Sequence, residues 1–477
     1  SEIKGFMALN GELKFDRNNL GISPISLCSY SKTKFENIKE LTPGKILKID
    51  LQTLEKKNYR WYYPLENLPK IHPNYEVNQG EYYELLYNAT NLRLDADLKI
   101  GTSLSGGVDS SVIFTLLNII NKNEKNLENK IIDLNPTLMN FEGNRTSNFA
   151  IELAKKYNKV CEIIESTNEK NLDDITKLVS SLEIVDEYFF QPLLYESQKA
   201  AGIHVTIDGH GSDEFLGMPN FFQYLSINNY NNIINSNNAL ENYDAKKNKE
   251  VLRQIFGQMV DLNKPLDVNF ANLPDNKNYL DKYIPNSFFK SEDLLINEDI
   301  EVLKNFSTDL SYFYYKTHCG FMQFFLNKWD HASMSSAVEV RSPFLDKNVY
   351  LYSLALPFEK KIKDGQLKSI LRDSFKSLVP DQIINQKFKQ GLPSQNVDIN
   401  KNKNYLEEVI NQKAFIHSTD WDAKLIKKDF SNNENHKKIW QICKYHLMQN
   451  GFKNRLDDVK KNYTKSFSTP DTLETKN

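Results

Sequence analysis

Ser105-Gly106-Gly107-Val108-Asp109-Ser110-Ser111 decides how this chain is read. The residues before it, Lys99–Leu104, form a short apolar run suited to a strand, and Val108 to Ile120 is apolar at helical spacing. The heptapeptide is therefore the turn between a strand and a helix. Two glycines let the backbone turn tightly and approach a ligand closely. The turn's N–H groups and the helix N-terminus form an anion cradle, and Ser105, Ser110 and Ser111 add hydroxyl donors for phosphate oxygens. A carboxylate at Asp109 makes sense in an anion site when Mg²⁺ bridges it to phosphate. The plainer reading is a Ser/Asp helix cap after a glycine turn. The strand–turn–helix setting argues against it.

Outward from this turn the elements alternate. Helical spacing covers Tyr82–Leu94, Asn148–Tyr157, Leu172–Leu182 and Pro192–Ala201, and strand-like runs cover Thr137–Phe141, Val160–Ile164 and His204–Ile207. This alternation predicts an α/β fold with a parallel sheet, whose ligands bind at the carboxyl ends of the strands. The segment 321–452 reads as a mostly helical C-terminal part, while 218–320 is rich in Asn, Lys and Tyr and carries no sharp motif. Residues 1–63 read as short strands, with an alternating Gly44–Leu51 after a Thr42-Pro43-Gly44 turn. Three prolines mark 64–75 as a linker, 76–455 forms the main domain, and 456–477 reads as a disordered tail.

Composition excludes several classes. With 60 Lys and Arg against 62 Asp and Glu, the net charge is −2, so no overall field draws the chain onto nucleic acid. Cys28, Cys161, Cys319 and Cys443 form no CxxC pair, as expected of reduced thiols in a cytoplasmic protein. There is no apolar run of about eighteen residues to span a membrane, and no signal-peptide core.

Three further segments carry chemistry. Asp208-Gly209-His210-Gly211-Ser212-Asp213-Glu214 follows the strand ending at Ile207, so it shares a sheet edge with Ser105–Ser111. Asp109 and Asp213 can then share one Mg²⁺. In Lys328-Trp329-Asp330-His331-Ala332-Ser333-Met334 and Ala337–Asp346, the charged Asp330, Glu339 and Arg341 lie among apolar residues. They read either as a buried ion-pair network that shapes a pocket or as catalytic groups. Gly365–Arg372 with Lys387, Lys389, Gln390 and Gly391 offers lysines able to stabilise a pyrophosphate leaving group. By sequence alone these are ordinary solvated helix lysines.

The first motif resembles the PP-loop of enzymes that cleave ATP to AMP and pyrophosphate. Taken in order, SGGxDS, GSDE, SMxxxVExRxPFLD and GxxK…LR make residues 76 to about 452 similar to the asparagine synthetase family. The resemblance implies a PP-loop ATP pyrophosphatase domain. It implies Leu104, Ser105, Gly106, Gly107, Asp109, Ser110, Ser111, Met139, Asp208, Gly209 and Lys389 around ATP, and Asp109 and Asp213 on Mg²⁺. It also implies Lys368 on the pyrophosphate, with His210, Asp330, Glu339 and Arg341 in the catalytic set. Where the family commonly has Ser-Gly-Glu, this chain has Asp208-Gly209-His210. The family's Glu faces the activated substrate; His210 is an alternative base near neutral pH. His331 likewise stands where the family has Arg.

The expected reaction is adenylation of a carboxylate, then attack by ammonia derived from glutamine, giving an amide and AMP. Aspartate is the leading substrate. Another carboxylate, in polysaccharide or natural-product synthesis, and a nucleotide-binding paralogue without catalysis are the alternatives. Residues 1–63 resemble the later part of the family's β-rich N-terminal-nucleophile glutaminase, without its cysteine, so no glutamine hydrolysis is expected of this chain. A homodimer is among the assemblies left open.

Overall fold

The computed structural model describes residues 2–7, 13–20, 32–41, 43–67, 79–123, 132–141, 143–165, 172–183, 191–216, 282–284, 322–356, 361–363, 366–386 and 403–467. Its centre is a parallel sheet. Strand β3 (Ile100–Thr102) pairs with β6 (Val205–Ile207), and β6 pairs with β7 (Glu339–Arg341). On the other side, β4 (Thr137–Asn140) pairs with β5 (Glu162–Glu165). A Ser103–Thr137 bridge joins β4 to β3, and the Leu104 amide donates to the Thr137 carbonyl at 3.0 Å. The spatial order is therefore β5-β4-β3-β6-β7.

The chain runs outward from β3 through β4 to β5, then crosses back to β6 on the far side of β3. The reversal leaves a crevice between the carboxyl ends of β3 and β6, which is where open α/β sheets bind ligands. The two Gly-rich turns lie at those two strand ends.

Burial on both faces of the sheet explains the apolar strands. Helices α1 (Gln79–Leu92) and α2 (Val108–Asn123) share one apolar cluster with Ile100, Val205 and Ile207. In α2, Val112, Ile113, Phe114, Leu116, Leu117 and Ile120 are all buried, which fixes the first turn of the helix rigidly under the loop. Helix α3 (Ser147–Lys156) follows β4, and α4 (Leu172–Leu182) follows β5. Helix α5 (Gln191–Ala200) precedes β6, and one-and-a-half-turn α6 (Ser212–Leu216) follows it. Helix α7 (Met322–Met334) leads into β7, and α8 (Lys347–Ala355) and α9 (Ser369–Phe375) come after it.

A second cluster joins α4, α7 and the last helix, His436–Phe467, to Met7, Leu13, Phe15, Leu20 and Phe35 of the N-terminal segment. Phe15 stacks on Phe35 and meets the edge of Tyr445, whose hydroxyl donates to the Leu20 carbonyl at 3.0 Å. The N-terminal segment is thus packed onto the main domain.

Five expectations need correction or limits. Strand β7 lies inside the stretch read as mostly helical: Val338 and Val340 alternate with Glu339 and Arg341, but three residues between helical runs are too short to announce a strand. Residues 456–467, assigned to a disordered tail, continue the last helix. The Gly44–Leu51 strand exists as β1 (Lys45–Ile49), paired with β2 (Lys56–Arg60). It is not half-buried, since Ile46, Leu47 and Ile49 are all exposed. Within the 64–75 linker, Pro64–Asn67 forms one helical turn and the rest lies outside the described residues. So does all of 218–320 except 282–284. Among the described residues no helix is long and apolar enough to cross a membrane.

Candidate active site

Asp109 is the second residue of α2 and Asp213 the second of α6. Each lies in a first helical turn, where unpaired N–H groups and the helix dipole favour negative charge. The two helices start at the carboxyl ends of neighbouring strands, so the crevice brings the carboxylates together. Between them lies the Lys368 ammonium, 2.5 Å from Asp109 Oδ2 and 2.6 Å from Asp213 Oδ1. Lys368 is buried and has a left-handed backbone (φ 63°, ψ 38°), immediately before α9. Few non-glycine residues adopt that conformation, and its cost is characteristic of functional positions. Burial alone pulls the lysine towards neutrality, but Asp109 and Asp213 outweigh it and raise its pKa.

The loops fit against each other closely. A Cβ on Gly209 would lie 2.9 Å from the Ser110 amide nitrogen, and one on Gly106 (φ 79°) 2.1 Å from the Thr146 carbonyl oxygen. Neither position tolerates a side chain. The Ser105 and Ser110 hydroxyls are 3.0 Å apart, and the Gly107 amide donates to Ser105 Oγ at 3.4 Å. Thr146 anchors the loop by donating to the Ser105 carbonyl at 2.7 Å. Leu104 is buried below it. Met139 is the last but one residue of the adjacent strand, half-buried, its carbonyl accepting from Asn144 Nδ2 at 3.3 Å. One turn after Lys368, the Arg372 guanidinium donates to the carbonyls of Leu367 (2.8 Å) and Ile384.

The cluster retains unused polar valence. Asp109 Oδ1, Ser111 Oγ and Ser212 Oγ are buried without a hydrogen-bond partner among the described residues. Buried polar atoms are normally satisfied, so such exceptions need an explanation. Two carboxylates and one ammonium leave the site one charge short of neutral. A hard divalent cation with phosphate oxygens fits this donor set: two carboxylate ligands suit Mg²⁺ when substrate supplies the rest. Among the described residues no three His, Cys, Asp or Glu side chains gather into a self-sufficient metal site.

Beside this cluster, the Asp208 carboxylate is buried at 3.5 Å from both His210 Nε2 and the Tyr195 hydroxyl, with Thr206 Oγ1 at 3.3 Å. The His210 ring lies over Trp329, with centroids 4.1 Å apart and planes at 31°.

Other expected residues are placed elsewhere. Asp330 is exposed, and the buried network of Asp330, Glu339 and Arg341 does not form. Arg341 pairs with an exposed Glu339 at 2.8 Å and donates to the carbonyls of Arg93 and Asp95, both at 2.8 Å. The reason is the edge position of β7: Val338 and Val340 take the core face, leaving Glu339 and Arg341 to the other. Neither makes a polar contact with Asp109, Asp213 or Lys368. His331 Nδ1 lies 2.6 Å from the Leu182 carbonyl. Lys387, Lys389 and Gln390 lie outside the described residues. Sequence reasoning assigned nothing to Tyr195 or Arg372. Arg372 was findable as the residue one turn beyond Lys368, whereas Tyr195 had no local signal.

Residues 81–450 match the family model described as asparagine synthase. The chain is 23% identical over 486 residues to asparagine synthetase (glutamine-hydrolyzing) 1 of Bacillus subtilis, covering 93% of this chain and 70% of that protein. It is 25% identical over 434 residues to amidase chry2 of Gibberella zeae, covering 82% of this chain and 63% of that protein. A third relative, the putative asparagine synthetase (glutamine-hydrolyzing) 2 of Methanocaldococcus jannaschii, is 26% identical over 234 residues, 46% of this chain and 42% of that protein.

Proposed function

Since this chain belongs to the asparagine synthase family, we propose that it is an ATP-dependent amide-forming ligase that adenylates a carboxylate, with aspartate the leading substrate, and passes the acyl group to ammonia. The observation that carries this reading is the Lys368 ammonium held between Asp109 and Asp213 at the switch point of the sheet.

The Ser105–Ser111 loop and the first turn of α2 hold the phosphates through backbone N–H groups and the Ser105, Ser110 and Ser111 hydroxyls. Asp109 and Asp213 are the residues that would hold Mg²⁺, which supplies charge neutralisation for the departing pyrophosphate. Lys368 adds a fixed positive charge directed at the same group, in a buried site where charge counts for more than in water. Its carboxylate neighbours keep it protonated for that role. The substrate carboxylate attacks the α-phosphorus and pyrophosphate leaves. Ammonia then attacks the acyl carbon, AMP leaves, and His210 takes the amine proton. Gly209 joins the two stages, since its backbone touches the phosphate loop and its neighbour in sequence is His210.

Ammonia supply from glutamine, a glutaminase origin for residues 1–63, a cytoplasmic location and a homodimer belong to the same proposal. A second reading is amidation of a different carboxylate. It is favoured by His210 in place of the family's Glu and by the similarity to a relative named an amidase. The test is incubation with ATP, Mg²⁺ and ammonium, with and without aspartate. Aspartate-dependent AMP with matching asparagine supports the first reading. AMP formation that responds only to other carboxylates supports the second.

A further inference from the structure

Lys368 reaches Asp109 and Asp213 from a left-handed backbone (φ 63°, ψ 38°). A non-glycine residue keeps that conformation only where its surroundings over-determine it. Two carbonyls flank the Lys368 Cα, that of Leu367 and its own, and both accept from one residue, Arg372. The guanidinium Nε donates to the Leu367 carbonyl at 2.8 Å, and the Arg372 amide donates to the Lys368 carbonyl at 3.0 Å. Rotation φ of Lys368 orients the first peptide plane and ψ the second, so the two bonds together fix both angles. Arg372 Nη1 also donates to the carbonyl of Ile384, at the end of the helical turn Asp381–Ile384, where a helix cannot satisfy its own carbonyls. Ile384 is buried in one apolar cluster with Ile370 and Leu371 of α9, which makes the anchor rigid. Before Lys368, the two-residue strand Gln366–Leu367 pairs with Ile362–Lys363. An arginine fork holds two acceptors in a fixed geometry, whereas a lysine is a single point donor.

We propose that Arg372 is a positioning residue for Lys368: it holds the two peptide planes around Lys368 so that the ammonium stands between Asp109 and Asp213. This rests on the ATP-cleaving reading above. Arg372 then acts on the departing pyrophosphate only through Lys368. Without the fork, the Lys368 backbone relaxes towards the right-handed region, which costs a non-glycine residue less. Its side chain then starts in another direction, and the ammonium leaves its place between the carboxylates. Misplacing a catalytic group by about 1 Å can cost about a hundredfold in rate.

Two measurements test this. The first is a double-mutant cycle read by AMP formation from ATP with Mg²⁺, ammonium and aspartate. Arg372→Lys keeps the positive charge and loses the fork. It is expected to lower kcat by about ten- to a hundredfold, with the KM for ATP unchanged to within about twofold. In the Lys368→Met background the same substitution is expected to change the rate by less than about twofold, because the group it positions is gone. A loss that repeats in full in that background, or a KM that rises while kcat holds, overturns the proposal and gives Arg372 its own contact with ATP. An unchanged rate in Arg372→Lys overturns it as well. The second measurement needs no turnover. In protein labelled with ¹⁵N-lysine, the Lys368 ammonium signal, assigned by its absence in Lys368→Met, is expected to shift in Arg372→Gln. An unchanged signal overturns the proposal. Loss of the fold in both Arg372 variants, seen by circular dichroism, overturns it too, since Arg372 then serves the fold as a whole. If the unaltered protein forms no AMP with aspartate, the amide reading with that substrate fails, while the ammonium signal still decides the positioning claim.

Discussion

Two buried lysine–carboxylate clusters in this molecule resemble each other in composition and differ in what they leave undone. In the first, Lys368 lies between Asp109 and Asp213. In the second, Lys4 lies 3.3 Å from Glu183 Oε1. Each includes a non-glycine residue with left-handed backbone, Lys368 at φ 63° and Glu183 at φ 53°. Around Glu183 both carboxylate oxygens are in use: Oε2 accepts from the Ile3 amide and Oε1 from the Lys4 amide, each at 2.8 Å. Lys4 also donates to the Ser181 carbonyl at 3.3 Å and pairs with Glu2 at 3.0 Å. That cluster pins the N-terminal segment to the end of α4. Around Lys368, one carboxylate oxygen and two hydroxyls have no hydrogen-bond partner among the described residues. The difference teaches that burial and charge alone do not mark a site; leftover hydrogen-bonding capacity at a strand end does.

The largest expected effect falls on the unsaturated cluster. Lys368→Met should lower AMP formation by about a hundred- to a thousandfold, as expected when a preorganised charge facing a leaving group is removed. Single-turnover AMP release checks it. In the saturated cluster the loss should appear in stability. Glu183→Gln removes one of the two counter-charges of the buried Lys4 and leaves Glu2, which costs about 1.5–3 kcal/mol in urea unfolding, while turnover per folded molecule stays within about twofold. A Glu183 variant that unfolds no more easily but stops turning over would erase the contrast.

A second saturated position gives a pH test. His446 is packed against Phe415 and Trp421, and its Nε2 lies 2.9 Å from Gln412 Oε1. Burial holds its pKa down at about 4, from 6.5. The unfolded chain therefore binds this proton more readily. The contribution is complete above pH 6.5 and is lost as pH falls towards 4, amounting to about 3 kcal/mol at most. Melting curves between pH 7 and pH 4 should show this slope, and His446→Gln should flatten it. The smallest effect belongs to the exposed pair on β7. Glu339→Gln should cost below about 1 kcal/mol and leave AMP formation within about twofold. A large loss of activity would bring the edge of β7 into the site.

Sequence made the crevice legible because its chemistry is local. Ser105–Ser111 carries glycines, hydroxyls and a carboxylate within one turn, and the apolar runs on either side state their own periods. Leu172–Leu182 was read with the boundaries the structure shows, because its apolar spacing is unbroken. Lys368 was different: its own sequence gives a solvated helix lysine, and only the order of motifs pointed to pyrophosphate. What makes it special is a left-handed backbone and two carboxylates more than 150 residues away in sequence, neither of which leaves a local trace. Trp329 reaches His210, and Tyr195 reaches Asp208 and Trp329, through helix packing, so these contacts could not be read from sequence neighbours. Asp330, Glu339 and Arg341 failed the other way: charges among apolar residues suggest burial, but Asp330 lies on the exposed side of α7, and the Glu339–Arg341 strand buries one face and turns the other outward.

The central claim is that the Lys368 cluster directs cleavage of ATP between its α- and β-phosphates. The most direct measurement follows ATP labelled in both the α- and γ-phosphates, with Mg²⁺, ammonium and a panel of carboxylates that includes aspartate, for the unaltered protein and Lys368→Met. The account predicts carboxylate-dependent AMP and pyrophosphate in equal amounts, lost in the variant. ADP and inorganic phosphate as the products, or AMP formation that survives the substitution, would contradict it.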